Sequence, residues 1–330
     1  MQILVTGATG FIGTHLVRRL LSDGHRVRCL SRHVDASKGI HGHSSIEHVK
    51  ADITAPETLV DATKGVDVAF HLAAAGHVSA VSAEAFDRFF EVNVRGTKNI
   101  ISACAKNGVH RFIHFSSTAA MGLPGAAFIN EKTPCNPQSP YQKSKYYSEI
   151  EALEHGRRTG LEVIVLRPCL VYGPGGGDEF LKLCRMIKRG FFPRIGLGPN
   201  LTPIVHVADV VQASLRAIHH GQPGKVYLIA SKTSPPLQRL HQLIIRSLAI
   251  RRVYFYVPFW IAYALAFLLE KVSAKRGTPP LVSRKNMVSV VTDRTFDISR
   301  AEEEIGYHPA VSLEDGIRET IGWYKANHRI

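Results

Sequence analysis

The first thirteen residues, Met1-Gln2-Ile3-Leu4-Val5-Thr6-Gly7-Ala8-Thr9-Gly10-Phe11-Ile12-Gly13, constrain this chain more than any other stretch. An apolar run from Ile3 to Val5 leads straight into glycines at 7, 10 and 13. Phe11, Ile12, Leu16, Val17, Leu20 and Leu21 then share one helix face. Strand, glycine turn and helix N-terminus in that order read as a dinucleotide-binding unit, where a bare glycine pattern would say little. Gly7 permits the tight turn, Gly10 lets the backbone approach a pyrophosphate, and Gly13 lets the helix pack closely on the strand. The helix start offers free N–H groups and a positive dipole end to the phosphates.

The rest of the chain extends this unit. Apolar runs recur at Val27–Leu30, Ile46–Val49, Val68–Leu72, Arg111–Ser116 and Val163–Arg167. Helical patterns lie between them, among them Phe86–Gly108 and Tyr141–Thr159, with Gly108 and Gly160 as stops. Alternating units of this kind predict an α/β fold, a doubly wound parallel sheet of Rossmann type. The alternation breaks at the loop Val171-Tyr172-Gly173-Pro174-Gly175-Gly176-Gly177. Val205–Val207, a helix over Asp209–His219 and Val226–Ala230 look like a return to the sheet, and two more helices are expected over Ile298–Ile305 and Leu313–Ala326. The expected division is a dinucleotide-binding domain over 1–172, joined again by 204–230, and a smaller interleaved substrate domain over 173–203 and 231–330. A chain of 330 residues has room for both.

Composition excludes little except through charge. A net charge of +14 suits nucleic acid, an anionic membrane or a phosphorylated ligand. With no dense Lys/Arg run and no basic stripe interleaved with aromatics, nucleic acid is not an expected partner. Cys29, Cys104, Cys135, Cys169 and Cys184 are scattered, which predicts buried thiols in a reducing, cytoplasmic setting. The first strand begins at residue 2, so no signal peptide is expected. His71, His77, His114 and His206 sit near strand ends without metal-ligand spacing, and no metal is inferred.

Ser116-Ser117-Thr118 closes a predicted strand, on the edge where open parallel sheets bind ligands. Tyr141 and Lys145 stand four apart, on one helix face. Hydride transfer at an alcohol carbon needs a base for the hydroxyl proton. A tyrosine with a pKa of about 10 is a poor one unless a nearby ammonium and a positive nicotinamide ring favour its phenolate.

These segments resemble the extended short-chain dehydrogenase/reductase superfamily, which includes the NAD-dependent epimerase/dehydratase family. The likeness covers Thr6–Gly13, Ser116–Thr118, Tyr141–Lys145 and Leu166-Arg167-Pro168. It continues through His71-Leu72-Ala73-Ala74, Asn93-Val94-Arg95-Gly96-Thr97, His206–Val210 and Glu304–Pro309. It implies Tyr141 as the acid/base, Lys145 as ribose ligand and tuner of Tyr141, and Thr118, with Ser117 beside it, as holder of the substrate oxygen. It also implies a cofactor site of Gly7, Thr9, Gly10, Phe11, Ile12, Gly13, Ser31, Arg32, Asp52, Ile53, Leu72, Ala73, Ala74, Asn93, Ser116, Tyr141, Lys145 and Pro168. There Asp52-Ile53 would meet the adenine and Pro168 the nicotinamide. Helices around Phe86–Lys106 and Tyr141–Glu154 resemble those that pair subunits, so a homodimer is expected.

Two departures refine this. The slot that holds an acidic residue in NAD enzymes is Ser31 here, and Arg32 follows. Serine does not repel a 2′-phosphate and a guanidinium binds it, which favours NADP(H) over NAD(H). Nucleotide-sugar members carry a segment of the form Gly-x-Gly-x-x-x-Arg-Asp-Phe. The matching stretch here, Gly196–Ile204, has Thr202 where the arginine would grip the diphosphate. The run Val253–Leu269 is also uncharged and apolar on all sides. It reads either as a core or interface helix, or as a lid or peripheral membrane contact through 253–276 with basic residues behind it. Together they favour the 3β-hydroxysteroid dehydrogenase and dihydroflavonol-reductase-like branch: an NADP(H)-dependent enzyme interconverting alcohol and ketone on a hydrophobic steroid-, lipid- or flavonoid-like substrate. The alternatives are a nucleotide-sugar epimerase or dehydratase with tightly bound NAD(P), and a non-catalytic NADP-binding scaffold or sensor.

Overall fold

Seven parallel strands form the main sheet of a computed structural model, which describes residues 1–32, 44–76, 87–123, 127–176, 178–190, 193–196, 199–251, 256–275 and 282–330. They are β1 (Gln2–Thr6), β2 (Arg26–Ser31), β3 (Ile46–Lys50), β4 (Val68–His71), β5 (Arg111–Phe115), β6 (Glu162–Pro168) and β7 (Val226–Ile229). Their spatial order is 3-2-1-4-5-6-7, so the direction of winding reverses between β1 and β4. The longest strand, β6, has six consecutive buried residues. Such a run needs cover on both sheet faces, which is why it reads as unbroken rather than alternating.

The helices are α1 (Phe11–Ser22), α2 (Gly96–Lys106), α3 (Pro140–Thr159), α4 (Asp178–Arg189), α5 (Val207–His220), α6 (Leu237–Leu248), α7 (Phe259–Lys275), α8 (Arg284–Val291), α9 (Ser299–Ile305) and α10 (Leu313–Ala326), and the cover comes from α1, α5 and α9 on one face and α2 and α3 on the other. One core gathers Leu16 and Val17 of α1, Val210 and Ala213 of α5 and Ala301 of α9 around Phe70. The opposite core gathers Ile100 and Ile101 of α2 and Ala152 of α3 around Phe112. Truncating either phenylalanine to alanine would cost about 3–5 kcal/mol. A third core joins α4, α6 and α10 through Phe180, Leu240, Ile244 and Ile317. Ile298, Ala301, Ile305 and Tyr307 pack within the sheet's own core, although they lie in the stretch assigned from sequence to the smaller domain.

Two segments differ from their sequence reading. The helix expected over Phe86–Gly108 begins at a residue outside the described ones and is not uniform, since Phe90–Arg95 winds as a π-helix before α2. The described part of the apolar run, residues 256–269, is no core helix: among the described side chains of α7 only Ala262 and Ala266 are buried, and Trp260 is 71% exposed. Of the same stretch, residues 253–255 and Arg276 lie outside the described residues, as do His33, His77, Gly177, Leu197 and Gly198.

α3 is the helix whose placement matters most. Ser139 caps it, its hydroxyl accepting from the Gln142 N–H while the Gln142 side chain reaches back to the cap. Pro140 suits the first turn, and Gly160 ends the helix at φ +78°. The chain just before this cap is stitched to the turn after β5: Asn136 N–H donates to the Met121 carbonyl at 2.9 Å, and Gly122 bridges Asn136. Gly122 has φ +70°, and a Cβ there would lie 2.0 Å from the Asn136 carbonyl oxygen. Gly122→Ala should therefore separate Thr118 from the start of α3 and destabilise the fold by about 1–3 kcal/mol. Urea denaturation would check this, and an unchanged midpoint would refute it.

Candidate active site

A cavity of about 480 Å³ opens at the carboxyl edge of the sheet, where the strand order reverses. Such a switch point leaves a crevice because the connections on either side run to opposite faces. Gly7, Thr9 and Gly10 line it from the turn after β1, Ser31 and Arg32 from the end of β2, Asp52 and Ile53 from beyond β3, and Leu72, Ala73 and Ala74 from beyond β4. The fit to a dinucleotide rests on the backbone. Gly7 holds φ +70°, and a Cβ there would stand 2.8 Å from the Ala73 nitrogen. A Cβ on Gly13 would come 2.2 Å from the Gly7 carbonyl oxygen. Gly13 is thus needed for the turn itself rather than for packing on the strand. Gly10 caps α1 without any side-chain hydrogen bond to its N–H groups, which keeps that helix end available to an anion.

The other expected cofactor residues lie elsewhere. Phe11 points toward the loop at Gly176, where an added Cβ would meet its ring at 3.3 Å, and Ile12 packs against the sheet core. Ser116 and Pro168 stand at the ends of β5 and β6, farther along the same edge, and the Ser116 hydroxyl is buried with no hydrogen-bond partner. Asp52 does line the cavity, with its carboxylate turned onto its own loop and accepting from the Thr54 N–H at 2.9 Å and hydroxyl at 2.8 Å.

Beneath the cavity runs a directed hydrogen-bond chain. The Thr6 hydroxyl accepts from the Ala73 N–H at 3.1 Å, which leaves its proton for His71 Nδ1 at 2.8 Å. The Thr97 hydroxyl donates to the Asn93 carbonyl at 2.6 Å, so His71 Nε2 is the donor to Thr97 at 3.0 Å. Every proton in this chain is accounted for by a neutral imidazole. Burial holds His71 down to about 3, with Lys145 adding repulsion. His114 stacks on it at 5.5 Å and is held well below its ordinary value by burial, Lys145 and His71. Asn93, inside the π-helical segment, accepts from the Ala75 N–H at 2.7 Å and donates to Ser144 of α3 at 2.9 Å. One residue thereby ties the cofactor edge to the helix that carries Tyr141.

Tyr141 and Lys145 lie in the first turns of α3, and Thr118 opens the short turn Thr118–Met121 after β5. Lys145 is buried and its Nζ donates to the Phe115 carbonyl at 2.6 Å. Burial lowers Lys145 to about 8, against which the Glu149 carboxylate pulls upward. Tyr141 goes the opposite way from the sequence expectation: burial raises its pKa in the protein alone. Thr202 uses its hydroxyl locally, donating to the Asn200 carbonyl at 3.2 Å.

Sequence reasoning missed two contributors. Arg88 also lines the cavity that holds Arg32, and no short motif marks it. Glu149 forms a buried ion pair with Arg167, Nε to Oε2 at 2.9 Å with a second contact from Nη2 to Oε1. Its signal was available, since Glu149 follows Lys145 by four residues on one helix face.

A model of the family described as "NAD dependent epimerase/dehydratase family" matches residues 3–230. The chain is 28% identical to 2-alkyl-3-oxoalkanoate reductase from Stenotrophomonas maltophilia (strain K279a), with 96% of this chain and 98% of that one covered. It is 30% identical to dTDP-glucose 4,6-dehydratase from Streptomyces griseus, covering 98% and 94%. It is 28% identical to 3beta-hydroxysteroid-dehydrogenase/decarboxylase isoform 1 from Arabidopsis thaliana, covering 96% and 78%. A dTDP-glucose 4,6-dehydratase double mutant from Streptomyces venezuelae, solved with NAD bound, superposes with a TM-score of 0.80 at 27% identity, covering 99% and 98%.

The two neutral histidines set a pH dependence. Unfolded, each takes up a proton near 6.5; folded, each resists protonation far below that. The unfolded state thus binds more protons as the pH falls below about 6.5, and each histidine removes roughly 1.4 kcal/mol of stability per pH unit toward acid. The contribution is fully present above the unfolded pKa. Unfolding free energies of wild type and His114→Asn between pH 6 and 4.5 should differ in slope by about that amount; identical slopes would refute neutral burial.

Proposed function

The chain belongs to the NAD dependent epimerase/dehydratase family, and from that premise we propose that it is an NADP(H)-dependent oxidoreductase that interconverts a ketone and an alcohol on a hydrophobic substrate. The observation that carries this reading is the joining of Thr118 and Tyr141 at one edge, through the Gly122–Asn136 bridge, beside the dinucleotide-sized cavity. The bound nicotinamide ring supplies the hydride in reduction and accepts it in oxidation.

The protein's own groups handle the proton and the oxygen. Thr118 holds the carbonyl oxygen by a hydrogen bond. Tyr141 gives its hydroxyl proton to that oxygen while a hydride reaches the carbonyl carbon, and the reverse transfers oxidise the alcohol. Burial keeps the Tyr141 phenol protonated at neutral pH, which is the form that reduction requires. Lys145 supplies a donor for the ribose, and a charge that favours the phenolate left behind. Glu149 opposes the loss of that charge.

Ser31, Arg32 and Arg88 around one cavity support NADP(H), because two guanidiniums can meet a 2′-phosphate where no acidic side chain replaces Ser31. Thr202, in place of an arginine, supports a substrate without a diphosphate. The relative named 2-alkyl-3-oxoalkanoate reductase accords with an apolar keto substrate. The relatives named dTDP-glucose 4,6-dehydratase favour a second reading, nucleotide-sugar turnover with retained cofactor. We further propose a homodimer paired through α2 and α3, where Tyr147 is 44% exposed.

Stopped-flow and steady-state assays with a long-chain 3-ketone separate the two readings. Ketone reduction should consume NADPH stoichiometrically, with NADH bound at least about tenfold more weakly. Arg32→Ala should erase that preference, and Tyr141→Phe should abolish turnover while leaving NADPH affinity within about twofold. Turnover of a nucleotide sugar without net cofactor consumption would overturn the proposal, as would an equal preference for NADH.

A further inference from the structure

Nine of the thirteen large apolar side chains exposed among the described residues lie between Tyr256 and Val288. This concentration is not the scatter found on ordinary protein surfaces. Its centre is α7, which is attached to the body through Ala262 and Ala266, one turn apart. Ile261, Leu265, Leu268 and Val272 form an exposed stripe at helical spacing, with Trp260 and Phe267 on the adjoining side. No charged residue occurs from Val253 to Leu269.

Charge flanks the run on both sides, with Arg251 and Arg252 before it and Glu270 and Lys271 after it. Lys271 stands 4.7 Å from the centre of the Phe267 ring, and Arg284 of α8 stands 4.9 Å from it. Glu270 is the acidic residue of α7, and it is neutralised by Arg284 at 2.6 Å. With that pair cancelled, Lys271, Lys275, Arg276 and Lys285 remain in the sequence before the next acidic residue, Asp293, so this end is basic, on a chain with a net charge of +14. A helix of 17 residues is about 25 Å long, short of the roughly 30 Å hydrocarbon core. No helix among the described residues is long and apolar enough to cross a membrane.

We propose that α7 is a docking face for an anionic lipid surface, lying in the interface with its apolar sides immersed and Lys271 toward the headgroups. The distribution of apolar groups selects this occupant over a second copy of the chain. A protein face covers one stripe of a helix, whereas here both the stripe and the adjoining side are exposed, which immersion covers together. Aromatic residues near the helix start and a cation over an aromatic ring suit the boundary between acyl chains and headgroups. The docking face is separate from the hydride-transfer chemistry and does not depend on it.

Cosedimentation of the full chain with vesicles tests the proposal. Wild type should bind mixed phosphatidylcholine/phosphatidylglycerol vesicles, and bind phosphatidylcholine vesicles or high-salt samples at least about tenfold more weakly. Leu265→Glu/Leu268→Glu alters only exposed side chains, so its circular dichroism, melting and NADPH affinity should match wild type while vesicle binding is lost. Lys271→Ala should lower only the salt-sensitive part. Three outcomes would overturn the proposal: no vesicle binding by wild type, undiminished binding by the folded double variant, or a change in sedimentation mass in that variant without vesicle binding, which would assign the face to a second copy.

Discussion

Two backbone segments must pass within contact of each other for this molecule to hold a dinucleotide edge at all. The turn after β1 and the turn after β4 meet at Gly7 and Ala73, where even a methyl group on Gly7 would lie 2.8 Å from a backbone nitrogen. The Thr6 hydroxyl fastens the same two segments by accepting from Ala73 and donating to His71. From His71 the bonding passes to Thr97, Asn93 and Ser144, and so to α3. The cavity floor and the helix that carries Tyr141 are thus parts of one hydrogen-bonded frame, and neither can shift without straining the other. Leaving one member of such a buried frame unsatisfied costs about 1–3 kcal/mol.

Electrostatics in this frame work by contrast. Two neutral histidines and one buried lysine crowd together under the edge, and all three are pushed toward their uncharged forms by lost solvation. Glu149 is the counterweight, itself held by Arg167. A buried pair of this kind gives little net stability, yet removing one partner would strand the other at a cost of about 3–5 kcal/mol. Its effect here is to hold a charge gradient along one face of α3, from a protonated phenol at Tyr141 to an anion at Glu149.

The sheet was legible because its central strands are buried on both faces and so announce themselves as apolar runs; Ile3–Val5 and Val163–Arg167 each needed only one more residue at each end. Ser31, Arg32, Asp52 and Ala73 were legible because each follows a strand on the edge where ligands bind. Three things were not legible. Arg88 lines the cavity from outside the strand ends, a placement that local pattern does not encode. The raised pKa of Tyr141 reflects three-dimensional burial. The exposure of α7 could not be told from burial because an all-apolar helix has no polar face to mark which side meets water.

The π-helical segment at Phe90–Arg95 has a consequence for the register of the chain. Such a turn houses one residue more than a regular helix of the same length, and each residue advances the helix by about 100°. Deleting a single residue there would let the helix close into ordinary α geometry, a locally favourable change. It would also rotate everything on its N-terminal side relative to Thr97, and the Asn93 amide would swing away from both Ala75 and Ser144. Length variation is therefore far less tolerable at this point than in the surface loops, and an irregularity that looks like a flaw in the helix sets the phase of the whole site.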